Sequence, residues 1–149
     1  MALVVTAPLA GSVMSLRDVP DPVFAAGLVG PGLAIDPQED ATIAVAPVAG
    51  RLIKLKPHAF VIIDGSGRAV LVHLGIDTFT LGGEGFVVLA REGQDIAVGD
   101  PVVRWDPLTV AKRGLSPVCP VVALDASAEV IGDPVSGQVA VGGALYTWA

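Results

Sequence analysis

No apolar run in this chain gets far before a glycine, a proline or an aspartate interrupts it. With 18 glycines and 12 prolines spread along 149 residues, there is no stretch of the roughly 18 apolar residues that a membrane helix needs. What survives between the breaks is short and rich in Val, Ile and Leu: Leu3 to Val5, Arg51 to Leu55, Ala59 to Ile63, Val70 to Leu74 and Pro101 to Trp105. Such segments, each bounded by turn residues, predict an all-β antiparallel sandwich or barrel. The best helical pattern is Glu84 to Glu92, where Phe86, Leu89 and Ala90 share a face and Gly93 can end the turn.

The length fits one domain over residues 1–149, which on folding buries roughly 70% of the surface of the unfolded chain. Hydrophobic residues make up 52% of it and charged residues 16%, so a sizeable core needs no disulfide. The one cysteine, Cys119, sits in Val-Cys-Pro-Val-Val and reads as a small core residue. A reducing cytoplasm fits. The N-terminal MALVVTAPLAGSVMSL is apolar, but no basic residue precedes Arg17, and Pro8 and Gly11 break the run. It reads as a first strand rather than a signal peptide, and Met1 directly before it suggests a free-standing subunit. The net charge of −6 and an isoelectric point near 4.6 argue against nucleic acid and anionic membranes, which demand a positive footprint. A basic protein partner suits it better.

Two internal echoes are visible. Ala7-Pro8-Leu9-Ala10-Gly11 returns as Ala46-Pro47-Val48-Ala49-Gly50, and Gly93-Gln94 through Gly99 to Trp105 returns as Gly137-Gln138 through Gly142 to Trp148. Together they suggest a duplicated β-unit packed about a pseudo-symmetry axis.

Both histidines of the chain, His58 and His73, flank one turn signal, Asp64-Gly65-Ser66-Gly67. Taking Gly65-Ser66 as a two-residue hairpin loop pairs residue 58 with 73 and residue 60 with 71. The two imidazoles then share one face with Phe60, Ile62 and Leu71, an inference that a one-residue slip would undo. Paired imidazoles on an apolar face suit phosphoryl transfer: one neutral ring is the nucleophile, and the other donates a hydrogen bond to a phosphoryl oxygen. Two other uses remain open at this point. Either histidine can be an ordinary polar residue at a strand end, and the pair with Asp77 can be read as a metal site. Zinc wants three or four ligands, so His58 and His73 would hold it only if a partner's carboxylate completed the set.

The segment His73-Leu-Gly-Ile-Asp-Thr78 followed by Leu81 and Gly83-Glu84-Gly85-Phe86, together with His58-Ala59-Phe60, resembles the glucose-type enzyme IIA family of the bacterial sugar phosphotransferase system. Val19-Pro20-Asp21-Pro22-Val23-Phe24, Val29-Gly30 and Gly32-Leu33-Ala34-Ile35 follow the same pattern, so the resemblance covers almost the whole chain, in a form closest to actinobacterial members. It implies a compact antiparallel β-sandwich with internal duplication, of the duplicated hybrid motif type, with one or two short helical turns. It also implies that His73 accepts phosphate from the histidine-containing phosphocarrier protein and passes it to a cysteine of a glucose or N-acetylglucosamine enzyme IIB, linked to the IIC permease, with His58 supporting the phosphoryl group. Asp21, Val23, Phe24, Val29, Phe60, Leu71 and Asp77 are expected on the partner surface. No cofactor, no nucleic acid, no membrane insertion, no metal in the isolated domain and a monomeric state are expected.

The chain departs from the family's pattern beside the first histidine. Between Gly50 and His58 it is about two residues shorter than the best-known enterobacterial members, and Lys56-Pro57 stands where many members carry a Thr two residues before the histidine. Two rival readings fail on the residues they need. A biotinyl or lipoyl carrier would need a lysine at an exposed hairpin tip between methionines, a setting that neither Lys54 nor Lys112 has. A zinc peptidase would need a third protein ligand, which the sequence does not offer.

Overall fold

The structure, a computed structural model, describes all residues from Met1 to Ala149. Fourteen strands carry it: β1 Leu3–Thr6, β2 Gly11–Ser15, β3 Gly32–Pro37, β4 Ile43–Val45, β5 Gly50–Lys56, β6 Ala59–Ile63, β7 Ala69–His73, β8 Val87–Val88, β9 Asp95–Ile96, β10 Pro101–Arg104, β11 Cys119–Ala123, β12 Ile131–Gly132, β13 Gln138–Val139 and β14 Ala144–Trp148. All pairings are antiparallel. Two short helices, α1 Pro22–Ala25 and α2 Pro107–Lys112, interrupt them. No helix is long and apolar enough to cross a membrane.

The large sheet runs β13-β2-β3-β11-β7-β6-β5-β9, and the two small sheets run β1-β14-β12 and β4-β10-β8. Exchanging β1, β2, β3, β11, β12, β13 and β14 for β4, β5, β6, β7, β8, β9 and β10 turns the large sheet into its own reverse and swaps the two small ones. The backbone hydrogen bonds obey the same exchange. Thr6 N–H donates to the Pro47 carbonyl (3.0 Å) and Val45 N–H to that of Pro8 (2.9 Å). Ala7 N–H donates to Gly143 (2.8 Å) and Ala46 N–H to Asp100 (2.9 Å). The first two bonds cross between the repeats as an isologous contact does between two identical subunits. The Ala-Pro-x-Ala-Gly echoes are therefore the two turns that face each other across a pseudo-twofold axis.

The closing glycine of each echo has a steric reason. A Cβ on Gly11 would meet the Asp36 carbonyl oxygen at 2.1 Å, and one on Gly50 would meet that of Ile63 at 2.0 Å. The main core lies between the large sheet and the small ones, with Val5, Leu52, Phe60, Ile62, Val72, Val103, Val121 and Tyr146 all closed to solvent. Cys119 is buried within it, and burial pushes its thiol up to about 12, so it stays protonated and inert. On the opposite face of the large sheet a smaller core of Leu16, Val19, Phe24, Ile76, Val118 and Val122 is covered by α1. His73, at the end of β7, sits on that second face.

The helix expected over Glu84 to Glu92 does not form. The chain there turns through Gly82 to Gly85, and Val87–Val88 pairs with Val103 and Arg104 of β10 as an edge strand. Phe86 is instead buried and stacks on Trp105 at 6.0 Å. The helical spacing of these side chains lost to β-branched pairing and glycine turns. The helices that do form share a signal that went unread, an Asp-Pro step. The Asp21 carboxylate accepts from Val23 and Phe24 N–H, the Asp106 carboxylate from Leu108 N–H, and proline fills the first helical position in both.

Because the tight approach at Gly11 and Gly50 is symmetric, Gly11→Ala and Gly50→Ala should each lower stability by about 1–3 kcal/mol. Gly65→Ala, where a Cβ meets nothing within 4 Å, should stay near the parent. Urea unfolding of the three variants checks this.

Candidate functional site

The histidines come together, but not in the expected register. β6 and β7 pair Ala59 with His73, Phe60 with Val72 and Val61 with Leu71, one residue away from the pairing predicted from a two-residue loop. The loop holds three residues, closed by Asp64 N–H donating to the Arg68 carbonyl (3.0 Å), with Gly67 at a left-handed φ of 90°. The Asp64 carboxylate causes the extra residue, accepting from Ser66 N–H (3.0 Å) and Arg68 N–H (2.9 Å).

The slip separates residues that the sequence had placed together. His73 shares its face with Val61 and Leu71, whereas Phe60 and Ile62 point into the main core. Phe60 is 1% exposed, so its expected place on the partner surface is corrected: no partner can reach it.

His58 is not in β6. It forms, with Pro57, the two-residue turn between β5 and β6, whose closing pair is Lys56 and Ala59. Its carbonyl accepts from Leu74 N–H at 2.7 Å, which draws the turn against the end of β7. The two imidazole centroids are 5.3 Å apart at 64°. They belong to a row of four rings: Phe24 lies edge-on to His73 at 5.5 Å, and Phe79 lies 6.4 Å from His58.

The loop after β7 fixes the chemistry of His73. Thr78 is buried and its hydroxyl donates to the Leu74 carbonyl (2.7 Å), while Ile76 N–H donates to Ser116 (2.9 Å). The carbonyl of Gly75 is thereby held 2.6 Å from His73 Nδ1. A carbonyl can only accept, so Nδ1 carries the proton and Nε2 keeps its lone pair. Burial lowers the His73 pKa below 6.5, against the Gly75 hydrogen bond and the charges of Asp21 and Asp77, which raise it. Burial lowers that of His58 too, helped by His73 and by Lys56. Both rings are therefore neutral at neutral pH, and His73 presents a free nucleophilic nitrogen.

Around the pair, Val23 is 47% exposed and Phe24 only 8%. Val29 and Leu71 are half-buried against the smaller core. Asp21 spends its carboxylate on the α1 cap. Asp77 is exposed, holds a left-handed φ of 59° and makes no side-chain cap bond. Phe79 was not singled out in the sequence. It is 61% exposed because the one-turn helix Thr78–Leu81 buries Thr78 and turns the next residue outward. No third His, Cys, Asp or Glu joins the histidines in a group able to hold a metal ion.

A family model described as the phosphoenolpyruvate-dependent sugar phosphotransferase system, EIIA 1, matches residues 3–129. The chain belongs to that family. It is 39% identical over 130 residues to the PTS system glucose-specific EIIBCA component of Corynebacterium glutamicum, covering 86% of this chain but 19% of the relative. The chain thus spans about a fifth of the corynebacterial relatives. It is 38% identical over 122 residues to the PTS system glucose-specific EIIA component of Staphylococcus aureus, covering 80% of this chain and 72% of that one. The solved glucose permease IIA of Mycoplasma capricolum superposes with a TM-score of 0.92 at 33% identity, over 99% of this chain and 96% of the other. The EIIA fold inferred from the motif order is thereby shown.

The lowered histidine pKa values make stability fall in acid. Below 6.5 the unfolded chain binds protons that folded His58 and His73 resist, so unfolding gains free energy as pH drops toward their folded values, and the effect vanishes above 6.5. Urea midpoints should decline from pH 7 to pH 5.5, and less steeply in His73→Gln.

Proposed function

We propose that this EIIA chain is a phosphoryl carrier that accepts phosphate on Nε2 of His73 from the histidine-containing phosphocarrier protein. It donates that phosphate to the cysteine of a glucose or N-acetylglucosamine enzyme IIB during sugar uptake. The observation that carries the reading is the Gly75 carbonyl on His73 Nδ1, which leaves Nε2 as the one unprotonated nitrogen beside a second imidazole. In the transfer, the Nε2 lone pair forms the new N–P bond as the donor's N–P bond breaks, and the electron pair returns to the donor imidazole. His58 donates an N–H to a phosphoryl oxygen, an interaction of the kind worth about 2–4 kcal/mol in a site that excludes water. No metal or cofactor takes part. The chain acts as a cytoplasmic monomer.

The partner surface is built from Val23, the edges of Phe24 and Val29, and the two acids. Asp21 and Asp77 are close enough to His73 to raise its pKa, and rim charges of this kind act on encounter rate and its salt dependence.

Incubation with phosphoenolpyruvate, enzyme I and the phosphocarrier protein should add one acid-labile phosphoryl group by intact mass. His73→Ala should take none, and full labelling of that variant would refute the assignment. His58→Ala should fold and accept phosphate but pass it to IIB about 30-fold or more slowly, if its hydrogen bond is worth the lower end of that range.

Asp77→Asn keeps a residue that tolerates the left-handed backbone, and Asp21→Asn keeps a good helix cap. Both should slow phosphoryl exchange at low salt, Asp77→Asn the more, with stability nearly unchanged. Rates equal to the parent at two ionic strengths would deny the acids a steering role.

A further inference from the structure

The hairpin β5–β6 contains one irregularity, and it lies on the approach to the histidines. Arg51 pairs with Ile63 and Leu52 with Ile62, but Lys54 pairs with Val61, Leu55 with Phe60 and Lys56 with Ala59. Ile53 is therefore an extra residue, a β-bulge that reverses which face the rest of β5 presents. Before the bulge, Leu52 points into the main core opposite buried Ile62. After it, Leu55 takes the core side opposite Phe60, and Lys54 and Lys56 turn to the face of Val61 and Ala59. Without the bulge both lysines would point into the core.

The bulge completes a row across three strands. Lys56 lies opposite Ala59, and Ala59 lies opposite His73. Directly paired residues point the same way with Cβ atoms about 5 Å apart, so Lys56 and His73 stand about 10 Å apart at Cβ on one face, separated only by the Ala59 methyl. The lysine stem covers about half of that distance, and the His73 ring with a phosphoryl group on it covers the rest. Lys56 takes part in no ion pair and donates no side-chain hydrogen bond: the chain's salt bridges are Arg51–Asp95, Arg68–Asp64 and Arg113–Glu84. The other charges facing the pair, Asp21 and Asp77, are negative. Lys56 is the unpaired cation beside two neutral imidazoles, near enough to act electrostatically on His58.

We propose that Lys56 is a catalytic residue of this site, its ammonium reaching across Ala59 to hold the oxygens of the phosphoryl group on His73. This rests on the phosphocarrier reading above. The lysine keeps its proton throughout. It adds its N–H bonds to that of His58, at oxygens where the other facing charges, Asp21 and Asp77, are negative, and the N–P bond forms and breaks at Nε2.

A protein-free donor separates this role from docking. Phosphoramidate phosphorylates histidine directly, with ammonia leaving as the N–P bond to His73 forms. The parent, Lys56→Gln, Lys56→Arg and Lys54→Gln are compared by intact mass for labelling rate and by 31P NMR for the pH midpoint of the phosphoryl resonance. Lys54 is the control, on the same face but one row farther along, opposite Val61 and Leu71. Loss of one charge-assisted hydrogen bond should slow labelling of Lys56→Gln about tenfold and raise its 31P midpoint. Lys56→Arg should behave as the parent, and Lys54→Gln should stay within about twofold, as an exposed charge does. Unchanged rate and midpoint in Lys56→Gln, or an equal loss in Lys54→Gln, would overturn the role of Lys56 while leaving His73 as acceptor. A parent that takes no phosphoryl group on His73 would overturn the carrier reading itself, and this role with it.

Discussion

The carboxylate of Asp64 decides which side of the large sheet is core and which is site. Burial alone would raise its pKa. The Arg68 amide, the hydroxyl and amide of Ser66 and the Arg68 guanidinium outweigh that and hold the carboxyl below the usual range. The same guanidinium donates to the Met1 carbonyl (3.0 Å) and the Trp148 carbonyl (2.7 Å), so the hairpin that sets the register is tied to both ends of the chain. Strand side chains alternate with a period of two, so a loop one residue shorter would have put Phe60 and Ile62 on the same face as His73, burying the histidine with them or exposing them with it. The second core, the ring row and the accessible Nε2 all follow from a three-residue loop.

The β-class, five strand segments and the duplication were legible in the sequence because they rest on the spacing of breaks and on repeated turns, which no tertiary contact overrides. The duplication was legible even in detail: the closing glycines of the two echoes face carbonyl oxygens at nearly the same distance. The helical spacing of Phe86, Leu89 and Ala90 misleads at Glu84 to Glu92 because Val87 and Val88 find an antiparallel partner in β10. The site was half legible. The histidines and the loop after β7 were found through motif order, while the register failed because the side chain of Asp64, and not only its turn propensity, fixes the loop length. The facing of Lys56 rests on the bulge at Ile53, whose mark in the sequence is slight: Leu52 and Leu55 stand three apart where strict alternation would put two.

The site lies where the two repeats stop matching. The β5–β6 connection is a two-residue turn, whereas its counterpart between β2 and β3 runs from Leu16 to Pro31 and carries α1. The β7–β8 connection, from Leu74 to Phe86, holds Gly75, Asp77 and Phe79, while the shorter β11–β12 connection contributes nothing to the histidines. Near-symmetric sheets supply a rigid frame, and the unequal connections are the parts free to specialise. Phe24 reaches His73 from one long connection and Phe79 reaches His58 from the other, so each imidazole is flanked by a ring that the repeat itself does not encode.

A carrier must bind phosphate well enough to accept it and loosely enough to release it, and the electrostatics around His73 are divided accordingly. Burial keeps the ring neutral and nucleophilic, and the Gly75 carbonyl commits its proton to Nδ1. Asp21 and Asp77 would favour a protonated ring, and on the proposed reading they also oppose a phosphoryl dianion on it, which lowers the cost of handing that group on. Their opposition is tolerable because both carboxylates are engaged or solvated, Asp21 at the α1 cap and Asp77 on an exposed turn, where water weakens their pull. The carbonyl bond is different in kind. It is short and set by a buried loop, so on the proposed reading the nucleophile is ready in the free protein and no rearrangement need precede either transfer.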